Sequence, residues 1–289
     1  MELNKIYNED CLIGIKRIHD NSVDCILTDP PYLYLKNQKL DRPFDEQALF
    51  SEFKRVLKPT GFVVMFGRGT SFYRWNTVLA SLGFEFKEEI IWNKSYCSSP
   101  LMALSRVHET VSIHSRKGVI NKVKVPYLEM KGHDLDAIKT DISRLLTTYS
   151  NPDSLIAVKR YIESGELTFD GEYNAGVTIT SGRKRVNRCV STINTIQEGM
   201  NEKDIIRIRR DHYNTIHPTQ KPVRLLERLL ALTTQPGDVV LDPFMGSCST
   251  AIACVNTNRE YIGFEIDSEY YAAGVKRLNE VLSAPKLAM

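Results

Sequence analysis

Apolar positions in the first third of the chain alternate between two spacings. The run VDCILTD (23–29) is short, continuous and bounded by polar residues, which predicts a buried strand. EQALFSEFKRVLKPTG (46–61) places Leu49, Phe50, Phe53, Val56 and Leu57 on one helical face, and Pro59 and Gly61 are expected to stop that helix. GFVVMFG (61–67) reads as another buried strand and FYRWNTVLASLG (72–83) as a helix ended by Gly83. FKEEIIWNK and ETVSIHSRK are strand-like, with lysine-rich ends.

The last quarter repeats this grammar. PVRLLERLLALTTQPG (222–237) has Leu225, Leu226, Leu229, Leu230 and Leu232 at helical spacing, with Pro222 suited to a first helical turn. DVVLDPF predicts a strand, STAIACVNTN a helix and EYIGFEID a strand. Strands alternating with helices imply an α/β fold, a parallel sheet covered on both faces. The middle, 118–212, breaks the pattern. It has few buried-strand candidates, a predicted helical piece over 134–164, and then basic and Gly/Asn/Thr-rich stretches. It reads as an insertion carrying specificity, which divides the chain into 1–117, 118–212 and 213–289.

Length and composition narrow the classes. A chain of 289 residues suffices for one large domain or two modest ones. Its longest apolar runs are far too short for a membrane span, and the mixed, charged N-terminus lacks a secretory hydrophobic region. A cytoplasmic protein is the expectation. Six cysteines, at 11, 25, 97, 189, 248 and 254, show no C-x-x-C spacing and no accompanying histidine cluster, so neither a metal site nor disulfides are expected. The net charge of +3 says little, but residues 183–210 carry eight basic side chains against three acids. Arg183, Lys184, Arg185, Arg188, Arg207, Arg209 and Arg210 are candidates for phosphate contact or for reading guanine edges. A solvated surface explains the same charge.

Two predicted strands end in acid–proline turns, LTDPPY (27–32) and LDPFMGSCST (241–250). In an open parallel sheet, ligands bind beyond the carboxyl ends of the strands, at the topological switch point. If these strands are neighbours there, their loops face one crevice. The second turn, with Gly246, Ser247, Ser249 and Thr250 leading into a helix, is of nucleotide-cofactor type, because small residues let a ligand approach the backbone. Glu265 follows Asp242 by 23 positions, near the distance at which an acid accepts hydrogen bonds from ribose hydroxyls. The G-x-G-x-x-G and G-K-[ST] patterns are absent, which argues against a pyrophosphate ligand. Asp242 at a strand tip repels phosphate and favours a cationic or amine-bearing ligand. A purely structural turn is the alternative for this segment.

The first turn is a rigid hook. Ionised Asp29 offers acceptors only. Pro30 and Pro31 lack an N–H and fix their own φ, and each pushes its predecessor out of the α region. A carboxylate and the Pro30 carbonyl are thereby presented together, matching an exocyclic amine with its two hydrogens. Tyr32 adds a flat face for a heterocycle. Taken alone, DPPY is also compatible with a plain loop.

Together, DPPY at 29–32 and DPFMGSCST at 242–250 resemble the amino-group DNA methyltransferases. The order, catalytic tetrapeptide first and cofactor loop last, resembles the β class, a circular permutation of the shared fold. NEDCLIGIKRIHDNSVDCILTDPPY (8–32), WNK (92–94), HET (108–110) and HPTQKPVRLLERLLALTTQPGDVVLDPF (217–244) agree with that family, and the likeness covers roughly 1–115 and 215–275. It implies a Rossmann-like methyltransferase fold, a doubly wound, mostly parallel sheet with an inserted target-recognition region at 118–212. It also implies S-adenosylmethionine as methyl donor and DNA as substrate. Asp29, Asp242, Phe244, Gly246 and Ser247 would line the cofactor site, with Glu265 on the ribose. Asp10 and Cys11, at the end of the KIYNEDC strand, would lie near the adenine, and Thr219 and Lys221 near the methionine carboxylate. The family usually has glycine where Cys248 stands. A cysteine is expected to fit there if its φ is ordinary, and otherwise to weaken cofactor binding.

The implied reaction is direct methyl transfer to N6 of a flipped-out adenine, with Asp29, Pro30, Pro31 and Tyr32 as the catalytic segment. Cytosine N4 is the nearest alternative, but relatives acting on cytosine often carry serine in place of Asp29. RNA or protein glutamine substrates fit less well, since those enzymes commonly begin the tetrapeptide with asparagine and place the cofactor loop before it. A silent DNA-binding subunit would show a damaged tetrapeptide or cofactor loop. Some relatives are homodimers. The sequence carries nothing on oligomeric state, on the recognition sequence or on a restriction endonuclease partner.

Overall fold

The computed structural model describes residues 1–32, 41–96, 103–132, 134, 136–138, 140–141, 179–181, 184–186, 194–211 and 215–284. It divides into two compact units, Met1–Asn121 with Lys203–Met289, and Lys122–Glu202. The first unit begins with β1 (Lys5–Tyr7), a short helix α1 (Cys11–Gly14) with a 3-10 turn, β2 (Val23–Thr28) and α2 (Glu46–Val56). It continues through β3 (Leu57–Gly67), α3 (Gly69–Ser81), β4 (Glu85–Asn93) and β5 (His108–Ser115). The second unit holds β6 (Lys124–Val125), α4 (Tyr127–Lys131), β7 (Ile179–Ser181), β8 (Lys184–Val186) and β9 (Met200–Asn201). Within it β6 pairs with β9 and β7 with β8, both antiparallel. The first unit then resumes with β10 (Ile205–Arg207), α5 (Val223–Thr233), β11 (Val239–Asp242), α6 (Ser249–Asn256), β12 (Glu260–Phe264) and α7 (Ser268–Ser283).

Eight strands of the first unit form one sheet in the order β1-β12-β11-β2-β3-β5-β4-β10. Every pairing is parallel except those of β5, which runs antiparallel to both β3 and β4. The sheet is thus mostly parallel, as expected, with one reversed strand that a periodicity reading could not orient. β2 is buried along nearly its whole length, as its unbroken apolar run requires. One core gathers Ile26, Val63, Met65 and Leu241 from the strands with Leu49, Phe50, Phe53 and Val56 of α2 and Trp75 and Leu79 of α3.

Local chemistry sets the element ends. Asp45 caps α2 by accepting the Ala48 amide at 2.9 Å, and Lys54 and Arg55 lie in the last turn, where the helix dipole favours cations. α2 ends one residue earlier than expected. Leu57 belongs to β3, opposite Val23, and the register resumes at Phe62 opposite Cys25. Pro59 and Gly61 therefore sit in an irregular stretch of strand, where a missing N–H breaks no ladder bond. Pro222 is the residue before α5 rather than within its first turn. Gly83, at φ 88°, closes the turn after α3 in a conformation glycine adopts without strain. Of the helical piece expected over 134–164, residues 136–138, 140 and 141 are helical, and 142–164 lie outside the described residues. Among the described residues no helix is long and apolar enough to cross a membrane, and no group of three His, Cys, Asp or Glu could hold a metal ion.

Candidate active site

β2 and β11 are adjacent and parallel, with Val240 opposite Cys25 and Leu241 opposite Ile26. From this pair the chain steps outward in opposite directions, to β12 beside β11 and to β3 beside β2. The two acid–proline turns therefore leave the sheet at its switch point. Their residues line a single cavity of about 420 Å³, within the range of small-molecule sites. Asp29, Pro30, Pro31 and Tyr32 lie on its wall, as do Asp10, Cys11, Thr219, Lys221, Asp242, Phe244, Gly246, Ser247 and Glu265.

The DPPY side is held by side chains of α3 and by Lys221, just before α5. Tyr32 donates its hydroxyl to Asp29 Oδ1, its ring packs 6.1 Å from that of Trp75, and Ser71 Oγ donates to its carbonyl at 2.8 Å. Lys221 Nζ donates to Asp29 Oδ2 and lies 3.4 Å from Glu109 Oε2. Glu109 Oε1 accepts from Lys94 Nζ at 3.1 Å, and Lys221 also sits 4.9 Å from the centre of the Phe66 ring. Burial drives the Asp29 carboxyl above its ordinary range, opposed by the Lys221 charge and reinforced by that of Glu109. Two cations and two anions thus alternate across one buried cluster.

The cofactor-type turn is built from its own side chains. Asp242 Oδ1 accepts the Phe244 amide at 3.0 Å and Oδ2 accepts the Thr250 hydroxyl at 2.6 Å. Burial pushes its carboxyl up to about 7, and it organises the turn rather than standing free for a cationic ligand. Glu265 lies one residue beyond β12, and its two oxygens accept the Gly246 and Asp267 amides, each at 2.8 Å. Every carboxylate oxygen has a second lone pair, so Glu265 can still accept from a hydroxyl. Arg277 of α7 braces the turn from behind, donating to the Ser247 carbonyl at 2.8 Å and Ser249 Oγ at 2.9 Å. Asp10 and Cys11 stand at the start of α1, not at the end of a strand; Asp10 Oδ1 caps the helix by accepting the Leu12 amide at 2.8 Å.

Cys248 does not have ordinary backbone. Its φ is 60° and it is fully buried. Its Sγ turns toward α7, where a Cβ at Gly274 would lie 2.5 Å from it, and the residue is not part of the cavity wall. The expected penalty on cofactor binding thus lacks a steric cause. Left-handed cysteine carries a backbone cost of about 1 kcal/mol. His217 packs edge-on to Tyr270, with ring centres 4.5 Å apart, beside Gly246. Burial drives it down to about 4, so it stands neutral, with Nδ1 facing the Thr219 amide and hydroxyl.

The basic candidates fall into three groups. Arg210 lines the cavity and donates to the Pro218 carbonyl. Arg207, on edge strand β10, and Arg209, stacked 5.6 Å from the Tyr96 ring centre, are exposed and lie off the cavity wall. Lys184 and Arg185 belong to β8, of which the backbone alone is described, and Arg183 and Arg188 lie outside the described residues. The sequence reading assigned no role to Glu109, Lys94 or Arg277. Lys94 and Glu109 stand inside WNK and HET, short stretches already noted, but nothing in them foretells a buried charge pair.

The cavity suits S-adenosylmethionine. Its wall carries the acids Asp29 and Glu265 and the apolar side chains of Cys11, Phe244 and Ile266. A model of the DNA methylase family matches residues 23–276. The type II methyltransferase M.BglII of Bacillus subtilis is 28% identical over 93% of this chain and 67% of its own. The crystal structure of the M1.HpyAVI–S-adenosylmethionine complex is similar at a TM-score of 0.55 and 21% identity, covering 94% of this chain and 98% of that one. The PvuII DNA methyltransferase, cytosine-N4-specific, is similar at 0.59 and 16% identity, covering 100% and 89%. Sheet order, shared cavity and family match agree, and the chain belongs to the N6/N4 DNA methylase family.

Proposed function

We propose that this protein methylates the exocyclic N6 amine of adenine in DNA, with Asp29 as the acceptor that binds and polarises that amine. The observation that carries the reading is the shared cavity. Asp29, Pro30 and Tyr32 line the same cavity as the turn from Asp242 to Ser247. Bound S-adenosylmethionine supplies a sulfonium methyl, whose carbon–sulfur electron pair stays on sulfur as the carbon–nitrogen bond forms. Asp29 and the Pro30 carbonyl accept the two amine hydrogens, which draws electron density onto nitrogen. Tyr32 stacks on the flipped base. As positive charge develops on nitrogen, ionised Asp29 stabilises it, and one amine proton leaves to Asp29 or to water. Holding both reactants in one cavity supplies much of the acceleration.

On the donor side, Gly246 and Ser247 give backbone approach, Glu265 accepts from the ribose, and Phe244, Asp10 and Cys11 border the adenine. Thr219 and Lys221 meet the methionine carboxylate, for which Lys221 has N–H groups beyond the one donated to Asp29. Residues 118–212 serve as the target-recognition region, and exposed Arg207 and Arg209 contact phosphate. The test is nucleoside analysis of DNA incubated with the protein and methyl-labelled S-adenosylmethionine. N6-methyladenine is the expected product. Label in N4-methylcytosine alone would overturn the base assignment and leave the family membership standing.

A further inference from the structure

Both oxygens of Asp29 are already engaged by the protein, Oδ1 by the Tyr32 hydroxyl and Oδ2 by Lys221 Nζ. Each oxygen keeps a second lone pair, so an amine that donates to Oδ2 must share that oxygen with an ammonium, which weakens its bond. The competitor has somewhere to go. Glu109 Oε2 is buried and, among the described residues, makes no hydrogen bond, yet it lies 3.4 Å from Lys221 Nζ. The other oxygen of Glu109 is fixed by Lys94 at 3.1 Å, so the carboxylate is anchored with one acceptor open toward Lys221. The Phe66 ring face, 4.9 Å from Nζ, keeps the ammonium between the two acids.

We infer that Lys221 and Glu109 are a positioning pair for the acceptor amine: Lys221 guards Asp29 Oδ2 and moves its bond to Glu109 Oε2 when the target amine arrives. This rests on the reading of Asp29 as amine acceptor. The move keeps two cations and two anions in the cluster, so the incoming amine meets an ionised carboxylate without an uncompensated buried charge. Lys221 suits the task because its ammonium is a compact charge on a flexible stem, whereas a guanidinium would clamp one carboxylate.

The test compares Glu109→Gln with the double variant Glu109→Gln/Lys221→Met, each first checked for folding by thermal melting. Charged and titratable groups around Asp29 are Tyr32 after β2, Lys221 before α5, Glu109 on β5, Lys94 after β4, Asp242 at the end of β11 and, behind Lys221, His217. Glu109→Gln removes a nearby anion, so Asp29 stays ionised to lower pH and the acid limb of the kcat profile shifts down. Turnover nonetheless falls about tenfold, the worth of one charge-assisted hydrogen bond, because a single uncharged amide oxygen must then serve both Lys94 and Lys221. S-adenosylmethionine affinity, measured by calorimetry, is unchanged. The double variant removes the competitor as well. Its acid limb moves above that of Glu109→Gln, read on kcat at saturating S-adenosylmethionine because Lys221 also meets the methionine carboxylate.

Unchanged turnover and acid limb in Glu109→Gln would overturn the pair, as would a double variant whose acid limb stays where that of the single one lies. If the single variant fails to melt cooperatively, the double is compared with wild type instead. An upward acid limb supports the pair there, and an unmoved limb overturns it. Asp29→Ala separates the levels: if it keeps near-normal turnover, the reading of Asp29 fails, whereas an inactive Asp29→Ala beside an unmoved Glu109→Gln sinks only the Lys221 switch.

Discussion

Leu241 and Ile26 are register partners in neighbouring parallel strands, so Asp242 and Asp29 leave the sheet at the same edge although the chain between them spans most of the molecule. This relationship turns two ordinary strand-end turns into two walls of one cavity. It also sets separate expectations for each wall.

Glu265 is the clearest test of the donor wall. Its oxygens hold the Gly246 and Asp267 amides, so Glu265→Gln weakens one of these bonds and removes the carboxylate charge. S-adenosylmethionine affinity is expected to fall about tenfold or more, since a hydrogen bond to a charged group is worth about 1.5–3 kcal/mol. Calorimetric titration measures it, and DNA affinity without cofactor should not change.

Asp242 predicts a pH dependence of stability. Burial raises its folded carboxyl to about 7, above its unfolded value of about 4. The sign follows from linkage. The folded state retains the proton more tightly, so this group's stabilising contribution is full below about pH 4 and is lost as pH rises toward about 7. Asp242→Asn removes that slope. Thermal melting of both proteins across this window should show the wild type losing ground to the variant as pH rises, by on the order of a few kcal/mol.

Cys248 and Gly274 form a size-matched pair. Gly274→Ala puts a methyl 2.5 Å from Cys248 Sγ and 2.7 Å from the Gly246 carbonyl oxygen, and is expected to cost about 1–3 kcal/mol. Cys248→Gly is expected to be nearly neutral, because relief of a left-handed side chain offsets the space vacated by sulfur. Combining the two should restore only part of the loss, since the carbonyl contact remains. Denaturant melts of the three variants give the comparison.

Salt dependence tests the exposed arginines. Arg207→Ala and Arg209→Ala should each lower the slope of log affinity against log salt by about one while leaving S-adenosylmethionine binding intact. An unaltered slope in both would remove β10 and its continuation from the DNA interface.

Much of this was legible from residue order. The apolar run 23–28 and the leucine spacing at 225–232 become β2 and α5 because burial on both faces, or on one stripe, leaves a local signature. The reversal of β5 leaves none. The apolar and polar pattern of HETVSIHS carries no direction, and its orientation follows from its place between β3 and β4, antiparallel to both. The early strand at Leu57 was masked by a helical spacing that continues one residue too far. At the site, DPPY and DPFMGSCST carry their chemistry locally. The Asp29–Lys221–Glu109–Lys94 cluster does not, since pairing across 192 residues is a property of the folded sheet. Likewise, nothing in LDPFMGSCST announces that Cys248 faces Gly274 instead of the cavity.

Asp29→Ala gives the most direct measurement of the central claim. S-adenosylmethionine binding by calorimetry and methyl transfer to DNA are measured on one preparation. Transfer is expected to fall by about a hundredfold or more, the scale of losing one preorganised electrostatic partner, with cofactor affinity largely kept. Turnover near that of the wild type would contradict the account.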